Sequence, residues 1–252
     1  MKRPNRGPAP VLAPGQIEYE FGIPIPGQIL PEEAWTRTAI KRLPDAGVLD
    51  WTSIFGHERS MCLDIGCGNG RFTLASAIER PDWNHVAIDS LPAVIRYATR
   101  RANQRGLANT RFIAVDGWRL LNDYSNDQTW DEIHIYHPQP YADPRKANRR
   151  MLTPDFLLLL HQKLREHGAL FLQTDRRSYW DYMQATLPAV FEWTPIEGEW
   201  SDGPAFRSRR EILAIKQGLP IFRGMARRRP DWTTDSLSQC IAQLPQPQFK
   251  VS

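Results

Sequence analysis

The sequence predicts an α/β fold in which a mainly parallel central sheet carries helices on both faces. Two observations indicate this fold class. Short strand-like stretches alternate with helical patterns along most of the 252 residues, which is typical of parallel sheets. The contents of 41% hydrophobic and 24% charged residues are ordinary for a globular chain. No apolar run approaches the roughly 20 residues that are needed to cross a bilayer.

The alternation of strands and helices begins near residue 60. The predicted strands are Met61–Ile65, His85–Ile88, Arg111–Val115, Glu132–Tyr136, Ala169–Gln173 and Ile212–Ile215. The predicted helices are Arg71–Arg80, Leu91–Gln104, Pro154–Glu166 and Ser178–Leu187. The third helix is the best specified, because Thr153 can cap it, Pro154 suits its first turn and Gly168 ends the segment. Ligands bind at the carboxyl ends of the strands in such sheets, so site residues are expected there.

Composition divides the chain into three parts. Residues 1–30 are rich in Pro and Gly and predict a flexible N-terminal arm, residues 31–228 predict the domain, and residues 229–252 predict a tail with at most one short helix. The basic N-terminus has no apolar stretch behind it, unlike a secretory signal. The three cysteines are odd in number and lack metal-ligand spacing, which favours a reduced, cytoplasmic protein.

The net charge of +4 is small, but the basic residues are clustered. Arg and Lys gather at Arg96–Arg105, Arg145–Arg150, Arg207–Arg210 and Arg223–Arg229. Any one cluster is as well explained by a solvated face as by a binding site. Several clusters that converged in space would indicate a polyanionic partner such as nucleic acid.

A glycine-rich turn follows the first predicted strand. The stretch "LDIGCGNGRF" places Gly66, Gly68 and Gly70 between strand and helix, where glycine allows a sharp turn and close approach to a ligand. The spacing is G-x-G-x-G, and Asp64 precedes it. A carboxylate there would repel a pyrophosphate but would suit the ammonium and sulfonium groups of S-adenosylmethionine.

The next two strands also end in acids. Asp89 is placed to accept both ribose hydroxyls, and Asp116 is placed to receive the adenine amino group. Each acid alone is equally explained as a helix cap or a turn residue. Together with the glycines they form a methyltransferase pattern on a Rossmann-like fold. The predicted cofactor is therefore S-adenosylmethionine, bound by Asp64, Gly66, Gly68, Gly70, Asp89 and Asp116.

After the residues predicted to bind the cofactor, the sequence contains three further motifs. With these motifs the chain resembles the tRNA (guanine-N7)-methyltransferases over roughly residues 60 to 225. The motifs are "HPQPYADPRKANRRMLTPDF", "LQTDRRSYWDYM" and "RSRREILAIKQGLPIF", in the family's order. The resemblance implies a class I methyltransferase fold, S-adenosylmethionine as methyl donor, and methylation of N7 of a variable-loop guanosine in tRNA.

The resemblance also assigns residues. It implies catalytic roles for Gln139 and Asp175. The implied substrate-binding residues are Asp143, Arg145, Lys146, Arg149, Arg150, Thr174, Asp175, Ser208 and Glu211, with the basic ones on tRNA phosphates. Two positions depart from the family pattern. Gln139 stands where the family has aspartate, and Asp143 stands where it has lysine.

The chemistry of guanine explains how an amide at position 139 is compatible with activity. Guanine N7 carries a lone pair and no proton, so methyl transfer to it needs no general base. The enzyme must align N7 with the methyl group and tolerate positive charge moving onto the purine. Gln139 keeps a hydrogen-bond acceptor, and Asp143, Asp175 and Glu211 are expected to supply negative charge.

Two alternatives stay open at this stage. One is a paralogue with the same cofactor and a different acceptor, and the other is a non-catalytic tRNA-binding homologue. No residue spacing predicts a metal site, and His134 and His137 receive no ligand role. The sequence leaves monomer and homodimer equally open.

Overall fold

The computed structural model of the protein describes residues 12–251. Its strands are β1 (Tyr19–Glu20), β2 (Ile23–Pro24), β3 (Ala39–Ile40), β4 (Met61–Ile65), β5 (Asn84–Asp89), β6 (Thr110–Ala114), β7 (Trp130–Tyr136), β8 (Leu164–Thr174), β9 (Phe191–Ile196) and β10 (Phe222–Arg228). Its helices are α1 (Trp51–Phe55), α2 (Arg71–Glu79), α3 (Pro92–Gln104), α4 (Gly117–Tyr124), α5 (Pro154–Lys163), α6 (Arg177–Val190), α7 (Arg209–Lys216) and α8 (Thr234–Ala242).

Eight strands form one central sheet in the order β3-β6-β5-β4-β7-β8-β10-β9. The pairs from β3 to β8 are parallel, and β10 runs antiparallel to both β8 and β9. The chain leaves β4 toward β5 and then returns to the other side of β4 with β7. The strand order therefore reverses at β4 and β7, and this is the point where such sheets bind ligands.

Helices cover both faces of the sheet, as predicted. Successive side chains of a strand point to opposite faces. In β5, Val86 and Ile88 join the larger core cluster, which includes Phe156 of α5 and Tyr179 of α6. Ala87 joins a second cluster with residues of α3. Burial on both sides explains why the central strands are nearly continuous apolar runs.

The predicted strand Ile212–Ile215 and the end of the predicted helix Pro154–Glu166 are wrong. Residues 164–166 begin strand β8, and Gly168, predicted to end the helical segment, lies inside that strand. Residues Ile212–Ile215 lie in helix α7, not in a strand. The Ser208 hydroxyl accepts a hydrogen bond from the Glu211 N–H at 3.1 Å and so caps the helix, which outweighs the weak strand preference of two isoleucines. Three strands of the sheet, β3, β9 and β10, were not predicted. In β10 the four polar or glycine positions of "FRGMARR" hide the strand.

The described part of the predicted arm packs against the domain. Ile25 and Ile29 are buried, and β1 pairs with β2 in a short hairpin. The Glu18 carboxylate accepts hydrogen bonds from the buried Arg101 of α3 at 2.6 Å and from the buried Arg105, which directly follows α3, at 3.2 Å. Residues 1–11 of the arm lie outside the described residues. The boundaries at residues 30 and 228 stay predictions.

The predicted tail contains one short helix, α8. Leu237 and Ile241 of this helix are buried in the main core. Farther along, Phe249 packs on Tyr179 with 5.1 Å between ring centroids. The C-terminal segment is therefore anchored on α6.

Candidate active site

The turn between β4 and α2 is built from glycines in the left-handed region, where other residues are strained. Gly66 has φ +80° and Gly68 has φ +54°, and no atom lies within 4 Å of the place where a Cβ would stand. The Gly66 N–H donates to the Ile88 carbonyl at 2.8 Å, which ties the turn to β5. At Gly70, in contrast, a Cβ would meet the Ala98 Cβ of α3 at 3.0 Å. The first two glycines leave an open backbone surface, and the third permits close helix packing.

Asp64 precedes this turn by two residues and is buried in β4. Its carboxylate accepts a hydrogen bond from the Thr73 hydroxyl at 2.6 Å. Burial raises the pKa of Asp64 to about 7, although the Thr73 hydrogen bond opposes the rise, and the neighbouring Asp89 adds to it. A cation bound near the turn would favour the ionised form of Asp64.

Asp89 and Asp116 stand at the carboxyl ends of β5 and β6. Asp89 accepts hydrogen bonds from the Gly68 N–H at 3.3 Å and the Leu91 N–H at 2.9 Å. Asp116 caps α4 by accepting from the Arg119 N–H at 2.9 Å. An ionised carboxylate has about four acceptor positions, so both side chains keep capacity for a ligand.

A cavity of about 480 Å³ opens beside these acids, at the edge where the strand order reverses. Gly66, Asp89 and Asp116 line one side of it, with apolar side chains between them. Gln139 and Arg149 line it from the loop that follows β7. The volume is within the range of small-molecule sites. The structure therefore brings three of the predicted cofactor residues and one predicted catalytic residue together in one cavity.

The loop after β7 has an unusual backbone. His137 has φ +54° and Tyr141 has φ +43°, which are left-handed values that non-glycine residues rarely adopt. Gln139 lies between them, flanked by two prolines, and is exposed. Each such residue costs about 1–3 kcal/mol and persists where its surroundings hold it.

A chain of buried polar side chains holds His137. The Trp200 indole N–H donates to Gln173 Oε1 at 2.6 Å, which orients the amide so that Gln173 Nε2 donates to His137 Nε2 at 2.8 Å. His137 Nδ1 then carries the proton and donates to Asp175 Oδ1 at 2.9 Å. The His137 N–H donates to the Gln173 carbonyl at 2.7 Å. This network assigns a neutral His137 with a fixed tautomer.

Asp175 is buried at the end of β8 and is fully engaged. It forms an ion pair with Arg210 of α7 in addition to the hydrogen bond with His137. Burial opposes ionisation, but the hydrogen bonds from His137 and Arg210 outweigh it and hold the pKa of Asp175 well below its usual range. The neighbouring Thr174 hydroxyl accepts from the Arg176 N–H at 3.1 Å and is also buried. Asp175 therefore supports the loop through His137, while Thr174 holds the backbone that follows β8.

Ser208 and Glu211 have structural contacts in α7. Ser208 caps the helix, as described above. The buried Glu211 carboxylate accepts from Arg207 at 2.9 Å and from Arg223 at 2.7 Å. Its charge is therefore already balanced by two guanidinium groups.

The basic loop separates into exposed and buried parts. Asp143 caps the 3-10 turn Pro144–Arg149 and binds the Arg145 guanidinium through two bonds of 3.0 Å. Lys146 and Arg149 are exposed, and Arg149 reaches the cavity. Arg145 and these two residues can approach an external anion.

Arg150 is buried, unlike its neighbours. Its guanidinium donates to the carbonyls of Pro140, Tyr141, Pro247 and Phe249, and it lies 3.8 Å from the centroid of the Phe249 ring. Arg150 thus joins the strained loop to the C-terminal segment, and this placement does not favour the phosphate contact predicted for it.

Comparisons with known proteins bear on what this cavity does. A family profile described as a putative methyltransferase matches residues 58–223. The tRNA (guanine-N(7)-)-methyltransferase of Streptococcus suis is 31% identical over 178 residues, which cover 69% of this chain and 83% of that protein. The enzyme of the same name from Halorhodospira halophila is 30% identical over 204 residues, covering 79% and 88%. The chain belongs to the tRNA (guanine-N7)-methyltransferase family.

Solved structures agree on the fold of this methyltransferase. The 16S rRNA methyltransferase KamB superposes with a TM-score of 0.59 at 13% identity, over 77% of this chain and 99% of that one. An antibiotic-related methyltransferase gives 0.50 at 17% identity, over 74% and 95%. The predicted class I methyltransferase fold is confirmed.

The methyltransferase uses S-adenosylmethionine, and its cavity fits that cofactor. The fit rests on the open glycine backbone at Gly66, the carboxylates of Asp89 and Asp116, and the volume between them. Gly68, Gly70 and Asp64 are not among the residues that line the cavity, and they belong to β4 and the glycine turn beside it. The individual roles of these residues stay predictions.

Sequence reasoning missed the side chains that hold the acceptor loop, namely His137, Gln173, Trp200 and Arg210. One local signal was available, because His137 directly follows a buried strand and precedes a proline. Gln173, Trp200 and Arg210 come from positions 36 to 73 residues later, and no local pattern marks them.

One group of side chains in residues 12–251 has the spacing of metal ligands, namely Cys62, Glu132 and His134. Arg80 donates to Glu132 at 2.7 Å and to the Cys62 sulfur at 3.9 Å, so a guanidinium already balances the charge there. In the same described range, none of the helices combines the length and apolarity required to cross a membrane.

Proposed function

We propose that this methyltransferase transfers the methyl group of S-adenosylmethionine to N7 of a guanosine in tRNA. The main support for this proposal is that the predicted cofactor residues and the loop after β7 face one another across a single cavity. Asp89 and Asp116 line one side, and Gln139 and Arg149 line the other. Relatives that cover most of the chain are named for this reaction. A variable-loop guanosine and a cytoplasmic location belong to the same proposal.

The bound cofactor supplies an electrophilic methyl group on a sulfonium. Guanine N7 offers a lone pair and has no proton to lose, so no side chain has to act as a base. The protein must hold the base at a reactive distance and angle. The neutral His137, bonded on both ring nitrogens, fixes the loop that carries Gln139 and serves as a positioning residue.

Gln139 is an exposed residue that lines the cavity on the acceptor side. Its amide oxygen would accept from a guanine N–H and its amide N–H₂ would donate to a ring acceptor. The expectation that nearby carboxylates replace the family aspartate is not supported by the contacts. Asp143, Asp175 and Glu211 are each bonded to arginine. Replacing a charged acceptor by an amide costs about 1.5–3 kcal/mol, or one to two decades in rate.

Tyr141 and the exposed cations complete the acceptor side. Tyr141 lines the cavity, where its ring would stack on an extruded base. Tyr179 and Trp180 of α6 are not available for such stacking, because both are buried in the core. Arg149 lines the cavity, Arg145 and Lys146 are exposed on the same loop, and all three would bind phosphates.

Methyl transfer from labelled S-adenosylmethionine to an unmodified tRNA transcript tests the proposal, followed by nucleoside analysis. The expected product is 7-methylguanosine. Label in another nucleoside would favour the paralogue with a different acceptor. Absence of transfer together with salt-sensitive tRNA binding would favour the non-catalytic homologue.

A further inference from the structure

A second and larger cavity lies at the open edge of the sheet, away from the cofactor site. It measures about 790 Å³ and runs between α3, β6 and the segment from Trp35 to Leu43 that includes β3. We call it the edge groove. Trp35 to Leu43 precede the part of the chain that the family profile matches, which starts at residue 58, so this side of the groove is outside the shared region.

The charged residues that line the edge groove are all basic. Its lining includes the five cations Lys41, Arg42, Arg96, Arg100 and Arg119, and it includes no aspartate or glutamate among the described residues. All five are exposed. Of these, only Arg119 has a carboxylate partner within residues 12–251, the exposed Asp123 at 3.7 Å. Four cations are therefore available to an external anion.

The two sides of α3 show that this charge is not needed for the fold. Arg101 and Arg105 point inward, are buried and bind Glu18. Arg96 and Arg100 are one turn apart on the outward side, where they line the groove. The first pair anchors the N-terminal segment, while the second pair has no such partner in the described chain.

The floor of the edge groove is apolar. Ile40, Ile95, Phe112 and Ile113 line it beneath the cations. Trp35 stands at its rim with 38% of its surface exposed, and its indole N–H is occupied by the Leu30 carbonyl at 2.8 Å, which fixes the ring. An apolar floor with an aromatic rim under a row of cations suits an unpaired nucleotide, whose base stacks while its phosphates meet the cations.

The edge groove also continues toward the active site. Leu91 lines the cofactor cavity, and its neighbour Pro92, at the start of α3, lines the groove. In the same way Val115 lines the cavity, and its neighbour Ala114, at the end of β6, lines the groove. An RNA strand leaving the cavity mouth would reach the groove along one edge of the sheet.

We propose that the edge groove binds an unpaired segment of the RNA substrate, with phosphates on Lys41, Arg42, Arg96 and Arg100 and a base against Trp35 and Ile40. The proposal rests on the proposed function for the choice of RNA as the polyanion. It adds a contact region distinct from the basic loop around Arg149.

Equilibrium binding tests this role. Unmodified tRNA transcript is titrated, without cofactor, into the wild type and into Arg96→Gln/Arg100→Gln, with fluorescence anisotropy at several salt concentrations. The double variant is expected to bind about tenfold more weakly, and the slope of log K against log[salt] should fall by about 2. Arg96→Lys/Arg100→Lys keeps the charges and should restore both values.

The matched control is Arg165→Gln/Arg227→Gln, which removes two cations from the cavity at the opposite, amino-terminal end of the parallel strands. Cofactor affinity and melting temperature verify that each variant is folded. Equal affinity and equal salt slope for the groove and control variants would overturn the proposal. Photo-crosslinking gives an independent reading, with adducts expected in residues 35–43 and 92–104. Adducts confined to residues 136–151 would also overturn it.

The two proposals fail in different ways. Wild-type protein that binds tRNA through the groove but transfers no methyl group would contradict the proposed function and leave the groove in place. Wild-type protein that methylates guanine N7, with groove variants that bind tRNA normally, would contradict the groove and leave the function in place.

Discussion

The carboxylates predicted to bind the cofactor and those predicted to bind the acceptor guanosine differ in their bonding partners. On the cofactor side, Asp64, Asp89 and Asp116 bind only a hydroxyl or main-chain N–H groups in the described structure. On the acceptor side, the three predicted acids each bind at least one arginine. These acids are Asp143, Asp175 and Glu211.

This difference matches the charges of the two ligands. The cofactor carries a sulfonium and an ammonium group, so unpaired carboxylates on its side are attractive to it. The proposed acceptor is a polyanion, which unpaired carboxylates would repel. Pairing each acid with arginine removes that repulsion while keeping the acid as a structural group. The family resemblance identifies the same acids on both sides but does not reveal this division.

The largest expected effect is on the acceptor side, where Glu211→Gln removes a charge between two buried arginines. Arg207 and Arg223 would keep one weaker acceptor in place of a carboxylate, and breaking a buried pair costs about 3–5 kcal/mol. Denaturant unfolding measures the loss.

Asp181→Asn is the matched control, because Asp181 pairs with Arg177 on the exposed side of α6. A change below about 0.5 kcal/mol is expected there. If both variants lost the same small amount of stability, the structural role of Glu211 would be wrong.

The second effect is on the cofactor side. Asp89→Ala removes the carboxylate predicted to bind the ribose hydroxyls, so the affinity for S-adenosylmethionine should fall about 100-fold. Isothermal titration calorimetry measures it. Asp82→Ala, which removes an exposed acid before β5, should leave the affinity unchanged. A normal affinity in Asp89→Ala would remove Asp89 from the cofactor site.

The residues on the cofactor side could be predicted from the sequence because short local patterns specify them. The strands from β4 to β8 and the turn that contains Gly66 are specified by short apolar runs and by glycine positions. The acids at the ends of β5 and β6 follow from the alternation alone. Their geometry in the structure, with main-chain N–H groups as their partners, comes from the same few residues.

The acceptor side could not be predicted in the same way. The roles of Asp175 and Glu211 depend on Arg210 and Arg223, which arrive on α7 and β10. Those are the elements where the strand and helix assignment was wrong or missing, because the short run Ile212–Ile215 reads equally well in either state. The fold decides which charged side chains pair with one another, so a sequence motif does not reveal these pairs.

The third effect uses the pKa of Asp64 on the cofactor side. The pKa of the Asp64 carboxyl is about 7 in the folded protein, against 3.8 for an exposed aspartate. Between these two pH values the folded state therefore binds one more proton than the unfolded state. The neutral acid therefore contributes stability at low pH that is lost as pH rises through 7. Without cofactor, wild type should lose about 2 kcal/mol more than Asp64→Asn between pH 5 and pH 8. Parallel stability curves for the two proteins would show that Asp64 titrates normally.

The smallest expected effect addresses the one acceptor-side position that carries no charge. Gln139→Asp places an unpaired carboxylate in the cavity, where it would hold the guanine through a charge-assisted hydrogen bond and face the positive charge developing on the purine. Single-turnover methylation of unmodified tRNA should become about tenfold faster. Gln139→Asn separates charge from shape, because it keeps an amide in a side chain of the same length as aspartate, and it should give no gain. If the Gln139→Asp variant methylated tRNA more slowly while binding it equally well, the amide itself would orient the base. The absence of unpaired negative charge on the acceptor side would then include the residue next to the reacting atoms.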